Sequence, residues 1–149
     1  YGGFTMSMKT ALFWAQYGGT PIVLSDNLDF CEALWNTYRE EAARHQIEKP
    51  KGQEAAWGGI AVCAPTDLDA EEQFKDMEWF WDSWARQFGQ GMPLKLVGSP
   101  DTISRQIEEA HDRLGFDEIF YLIPQGIHSS DQIIESMDLL TNQVMPRFA

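Results

Sequence analysis

Val97-Gly98-Ser99-Pro100-Asp101, with the run Ile119-Phe120-Tyr121-Leu122-Ile123 that follows it, is the stretch whose reading decides the fold. The first segment reads as a loop that ends in a Ser N-cap, with Pro at the first helical position and an acid in the first turn. Ile103, Ile107, Ala110 and Leu114 then recur at helical spacing until Gly115 stops the run. The second segment is an unbroken apolar strand, which has to be covered on both faces and so suits a parallel sheet wrapped by helices. Pro124-Gln125-Gly126 breaks it, and a last amphipathic helix carries Ile133, Ile134, Met137, Leu140 and Val144.

Outward from there, strand and helix patterns alternate back to the start. Tyr1 to Met6 reads as a short strand, and Lys9 to Tyr17 as a helix stopped by Gly18-Gly19. Pro21 to Ser25 is the next strand. Asp26 or Asn27 caps a long helix to about His45, with Phe30, Leu34, Tyr38 and Ala42 on one face. Lys49-Pro50-Lys51-Gly52 is a turn, and Ala56 to Ala64 a third strand in which Gly58-Gly59 allows a close backbone approach. Pro65-Thr66-Asp67 opens a helix from about Asp69 to Gln87, and Gly89 to Pro93 is a loop. The order is βα repeated four times in one domain, residues 1–149, which is about half of an eight-stranded (βα)8 TIM-type barrel of the α/β class. A chain that opens Tyr1-Gly2-Gly3-Phe4 inside a strand, without Met, is expected to be a segment of a longer protein, and the missing half-barrel is its expected partner.

The bulk properties narrow the function. With 149 residues, 44% apolar and 13% aromatic, the chain has the makings of a packed core. Net charge is −12, from 23 acids against 11 bases, so no basic stripe is present to displace counterions from nucleic acid or to dock on an anionic membrane. Cys31 and Cys63 show no ligand spacing and read as buried thiols of a reducing, cytoplasmic compartment. His45, His111 and His128 are too dispersed to suggest a metal. No apolar run is long enough to span a bilayer, and no signal peptide is visible.

In (βα) barrels the chemistry sits in the loops that lead from strands into helices. The first such loop, Met6-Ser7-Met8-Lys9-Thr10, combines a helix start, two hydroxyls and a cation, which together can cradle an anion, although Ser before a helix is by default an N-cap. Ser25-Asp26-Asn27 and Ala64-Pro65-Thr66-Asp67 carry capping chemistry, with Ser25 a candidate ligand contact. In the fourth loop Gln125 is a candidate hydrogen-bonding group, and His128 is the histidine nearest a strand's functional end. No dinucleotide fingerprint, Walker loop or nucleophile elbow is present. Phe74, Met77, Phe80, Trp81 and Trp84 read as core packing first, and as the wall of an apolar substrate pocket second.

Three stretches carry a resemblance to a known family. They are Trp14-Ala15-Gln16-Tyr17-Gly18-Gly19-Thr20-Pro21-Ile22-Val23-Leu24-Ser25, then Val97-Gly98-Ser99-Pro100, and finally Ser136-Met137-Asp138-Leu139-Leu140 with Val144-Met145-Pro146-Arg147-Phe148. In their order and spacing, and in the aromatic helix around Trp81-Asp82-Ser83, the chain resembles the C-terminal half of the bacterial luciferase-like flavin-dependent monooxygenases. The resemblance implies a (βα)8 barrel that binds reduced FMN, or in some relatives the deazaflavin F420. It implies an oxidoreductase that uses O2 on a small organic substrate, or moves hydride with F420.

By the same resemblance Ser7, Met8, Lys9 and Thr10 fall where the flavin phosphate is held, and Ser25 falls near the flavin ring. A further family hydroxyl one turn into the helix falls at Ala11, with Thr10 beside it, which leaves the backbone cradle but weakens the side-chain contact. The catalytic groups stay unassigned, because most of those credited to the family lie in the first half of the barrel. The lid of luciferase itself is shortened here, around Phe88 to Leu96, which disfavours bioluminescence. A homodimer is a further implication. The readings left open are a non-catalytic flavin-binding or structural partner subunit, and a truncated product without function.

Overall fold

A computed structural model of the chain describes residues 3–149 except 50, 51, 54, 84, 89–92 and 125, with the backbone alone at 85 and 88. Its helices are α1 (Met8–Gln16), α2 (Leu28–Arg44), α3 (Asp67–Ser83), α4 (Pro100–Leu114) and α5 (Ser130–Leu139). Its strands are β1 (Ile22–Val23), β2 (Ala56–Cys63), β3 (Lys95–Gly98) and β4 (Glu118–Leu122). Phe4 forms a parallel bridge to Ile22, β1 pairs in parallel with β2, and β4 also pairs with β2. The four expected strand positions are therefore neighbours in chain order. At the first of them the strand reduces to the bridge at Phe4, with residues 1 and 2 outside the described ones.

One strand was not expected. Lys95–Gly98, read as part of the loop before the Ser99 cap, pairs in parallel with β2 from Ile60↔Lys95 to Cys63↔Gly98. Four residues are too few for an alternating pattern to stand out, although Lys95 is exposed and Leu96 buried as a strand requires. A second correction concerns which strand is fully covered. All eight residues of β2 are buried, whereas all five of β4 are only half-buried. Tyr121 and Leu122 border a cavity, which leaves that end of β4 partly open.

The chain forms two compact units, Tyr1–Gly59 with Glu109–Phe120, and Ile60–Glu108 with Tyr121–Ala149. In the first, Asn27 caps α2 by accepting the Phe30 N–H at 3.0 Å, with Asp29 in the first turn and Arg44 in the last, as the helix dipole favours. The buried face of α2 is Cys31, Leu34, Trp35, Tyr38 and Ala42, so the expected stripe is centred on Trp35, and Phe30 stays half-buried. Ala15 of α1 packs against Tyr38 and Ala42. Trp57 of β2 stacks on Phe116 with centroids 5.3 Å apart. Arg113 reaches α2, where it pairs with Asp29 and, at 3.3 Å, with Glu32.

In the second unit Phe74 and Met77 of α3 pack on Ile60 and Val62 of β2. This confirms the core reading of the first half of the aromatic stripe; Phe80 and Trp81 are half-buried against the same cluster, and Trp84 lies outside the described residues. The helix ends at Ser83, earlier than expected, and residues 85–88 form a 3-10 turn. On the last helix the expected apolar face is rotated. Ser136, Leu140 and Val144 are buried, while Ile134 and Met137 are about half exposed, at 57% and 49%. In a regular helix Ile134 and Met137 lie about 120° and about 60° from Leu140, and Ser136 about 40° on the other side, so the buried face is centred between Ser136 and Leu140. A π turn follows over Leu140–Val144. Buried Ser136 accepts the Cys63 N–H at 2.9 Å, which ties α5 to the end of β2.

Candidate functional site

The strand-to-helix loops of this sheet are built by short hydroxyl and carboxylate clasps. At the first, Thr5 is buried and its hydroxyl bonds both backbone groups of Ser7, accepting from the N–H and donating to the carbonyl, each at 3.2 Å. This turn sets Ser7 in an extended conformation (φ −137°, ψ 128°) as the N-cap of α1, yet the Ser7 hydroxyl makes no capping bond. The Ser7 carbonyl accepts from the Thr10 and Ala11 N–H groups, so the donors of Met8 and Lys9 remain at the open end of the helix. Ser7 and Lys9 are exposed, Met8 and Thr10 half-buried. No acid stands in the first turn of α1. The donor set of two N–H groups, two hydroxyls and a cation fits a phosphate monoester, and nothing in it opposes negative charge. Ala11 is fully buried, so a hydroxyl at that position would face the core. Thr5 was missed in the sequence; its signal is a Thr two residues before an N-cap, the pattern of an ST turn.

Ser25 follows β1 and is 7% exposed. Its hydroxyl accepts the Asn27 N–H at 3.1 Å, and its carbonyl accepts from the Trp57 indole N–H at 3.0 Å and from the Cys31 thiol. The hydroxyl proton of Ser25 is therefore still available for donation. Ser7 and Ser25 follow neighbouring parallel strand positions, because Phe4 bridges to Ile22.

The loop after β2 does more than cap. Thr66 caps α3 by accepting the Asp69 N–H at 3.2 Å, as expected. Asp67, read only as capping chemistry, accepts the Ser99 N–H at 2.7 Å and the Thr102 hydroxyl at 3.0 Å, joining the starts of α3 and α4. The Ser99 backbone bond, followed by the Ser99 and Thr102 side chains, holds the Asp67 carboxyl below its ordinary 3.8. A depressed carboxyl contributes stability that is complete above its ordinary value and lost as pH falls through the lowered one. Asp67→Ala is therefore expected to lower Tm at neutral pH, with the gap to the wild type closing below about pH 4. A Tm series over pH 2–7 checks this; a gap that stays constant with pH contradicts it.

In the fourth loop Gln125 lies outside the described residues. His128 is half-buried, with Nε2 2.9 Å from the Gln73 carbonyl, so that nitrogen carries a proton it donates to α3. The second unit also holds a cavity of about 920 Å³, walled by Met77, Phe80 and Trp81 of α3 and by Tyr121, Ile123 and Ile127. None of the five expected cofactor contacts lines it. Burial pushes the Tyr121 phenol up to about 12, with a smaller contribution from Cys63, and burial alone pushes the Cys63 thiol up to about 11. Both stay protonated at neutral pH, so Tyr121 is a neutral polar group on an apolar wall. Cys31 is likewise raised to about 11, chiefly by burial. Among the described residues no cluster of His, Cys, Asp or Glu is arranged to hold a metal, and no helix is long and apolar enough to cross a membrane.

No protein-family model and no curated protein sequence matches the chain. Solved structures do. The oxygenating constituent of 3,6-diketocamphane monooxygenase from Pseudomonas putida, a type II Baeyer-Villiger monooxygenase in complex with FMN, is 18% identical with a TM-score of 0.81, covering 97% of this chain and 47% of that one. A monooxygenase from Streptomyces bottropensis is 15% identical with a TM-score of 0.73, over 99% of this chain and 47% of that one. The coenzyme F420-dependent tetrahydromethanopterin reductase of Methanopyrus kandleri is 14% identical with a TM-score of 0.65, over 98% and 50%. At such identities the likeness is one of fold, and the chain spans about half the length of these proteins. The resemblance carried by its motifs is thus met in three dimensions: the chain has the fold of the luciferase-like flavin monooxygenases over about half of their length.

Proposed function

We propose that residues 1–149 are one domain, the C-terminal half of a (βα)8 barrel in a flavin-dependent oxidoreductase that acts with O2 on a small organic substrate. The observation that carries this reading is the start of α1, where an uncommitted Ser7 hydroxyl, open N–H groups and Lys9 meet without an acid, on a fold shared with FMN- and F420-dependent proteins. Ser7, Met8, Lys9 and Thr10 hold the phosphate of the cofactor, and the Ser25 hydroxyl donates to its ring. When bound, reduced FMN supplies the electrons for O2. The protein's part is placement: the helix start binds the phosphate, and Trp57 holds the Ser25 carbonyl so that its hydroxyl keeps one orientation. F420 carries a phosphate as well and is the alternative cofactor, with hydride transfer as the reaction. The other half-barrel, from the same protein or another chain, completes the fold, and a cytoplasmic homodimer is the assembly this reading favours.

Phosphate recognition can be separated from ring recognition. In the intact protein that contains this chain, Lys9→Glu is expected to weaken FMN binding about tenfold and leave riboflavin binding unchanged, since it reverses a charge beside the phosphate only. Fluorescence titration with both flavins reads this directly. Equal effects on FMN and riboflavin, or none on either, overturn the assignment of α1.

A further inference from the structure

We propose that the cavity beside the second half of α3 takes a neutral or cationic ring compound and refuses anions. As a substrate class this rests on the flavin reading above; as a binding property it stands on the cavity itself. At about 920 Å³ the cavity lies at the upper end of the range for small-molecule sites, roughly 300–1,000 Å³. Its lining combines aliphatic side chains such as Met77 and Ile127 with the rings of Phe80 and Trp81 from α3 and Tyr121 from β4, the Phe80 and Trp81 centroids being 6.2 Å apart in an edge-to-face pair. Such walls favour ring faces and edges over extended chains, and they attract cations through the ring quadrupole. Trp79 also lines the cavity and is 71% exposed, an indole available to a ligand rather than to the core.

Charge decides the sign of the ligand. Among the described lining residues the one charged group is Asp76. The nearby cations are already paired: Lys75 with Glu72, and Lys95 with Glu78 while it lies 4.9 Å from the Phe74 ring centroid. Among the described lining residues an anion entering this cavity meets a carboxylate and no cation, within a chain of net charge −12. The Tyr121 phenol, kept protonated by burial, adds a neutral hydrogen-bonding group that suits an uncharged polar substituent.

The test uses the intact protein and three 2-substituted naphthalene probes: 2-naphthol, 2-naphthylmethylamine as its ammonium ion, and 2-naphthalenesulfonate, each titrated by calorimetry. Saturable binding is expected for the first two, with the sulfonate roughly tenfold weaker than the ammonium ion. Asp76→Asn is expected to bring ammonium and sulfonate affinities together and leave 2-naphthol unchanged. Trp79→Ala, at a site 71% exposed, is expected to weaken 2-naphthol and the ammonium probe severalfold. Sulfonate binding as tight as that of the ammonium ion, no saturable binding by 2-naphthol, or indifference to both substitutions overturns the proposal. FMN titrated in parallel separates the two readings: FMN binding without probe binding removes this proposal alone, and probe binding without flavin binding removes the flavin reading alone.

Discussion

Gly58→Ala is expected to destabilise the first unit strongly. Gly58 sits in the middle of β2, and a Cβ there would meet the backbone of Phe120 in β4, with the carbonyl carbon at 2.7 Å, the amide nitrogen at 2.8 Å and the carbonyl oxygen closer still. All three are main-chain atoms of a paired strand, so no side-chain rotation relieves the overlap. Either β4 moves away from β2 or the substitution is not accommodated. A cost of about 3 kcal/mol or more follows from overpacking against backbone, a large part of the stability of a domain this size. Gly126→Ala is the natural control. There a Cβ meets nothing within 4 Å, and the only penalty is the positive φ of 81°, worth about 1 kcal/mol. Thermal unfolding of the two variants side by side checks the contrast; equal Tm losses would contradict it.

Trp57→Ala is expected to cost about 3–5 kcal/mol, the usual range for removing a buried aromatic side chain. The indole is 2% exposed, stacks on Phe116 at an interplanar angle of 24°, and donates to the Ser25 carbonyl. Trp57→Phe separates these contributions. A phenyl ring keeps most of the stack but cannot donate, which leaves the Ser25 carbonyl short of a partner at a cost of about 1 kcal/mol. Since that carbonyl belongs to the residue proposed to face the flavin ring, Trp57→Phe should loosen Ser25 more than it loosens the core. Urea denaturation of both variants gives the ordering; a Phe variant as damaged as the Ala variant would show that the hydrogen bond, and not the ring, holds this part of the unit.

Much of this architecture is legible because its signals are local. The start of α4 needs only Ser99 and Pro100, and its stop needs only Gly115, which adopts a φ of 63° after the last helical residue. The Asn27 cap of α2 and the open helix start at Ser7 are short-range chemistry of the same kind. What escaped depends on partners distant in the chain. β3 is a strand because β2 offers it a register, not because four residues announce one. The buried face of α5 is set by the sheet it meets, as Ser136 bonds the Cys63 N–H of β2, 73 residues away in the chain. The Asp67 clasp spans 32 residues to Ser99, and the cavity joins Trp81 to Tyr121, a pairing that no periodicity encodes. The same limit holds for the site: the sequence points to loops, while the choice among them follows from which hydroxyls are already spent, as those of Thr5 and Thr66 are, and which are not, as at Ser7.

The central claim is that this chain helps to hold a phosphorylated flavin or deazaflavin. Its most direct test is an equilibrium titration of the intact, cofactor-free protein with FMN and with F420, read by absorbance and fluorescence. Saturable binding of at least one of them, with riboflavin weaker than FMN if FMN is the ligand, is the result expected from the start of α1. Failure of both to bind at saturating concentration would contradict the account.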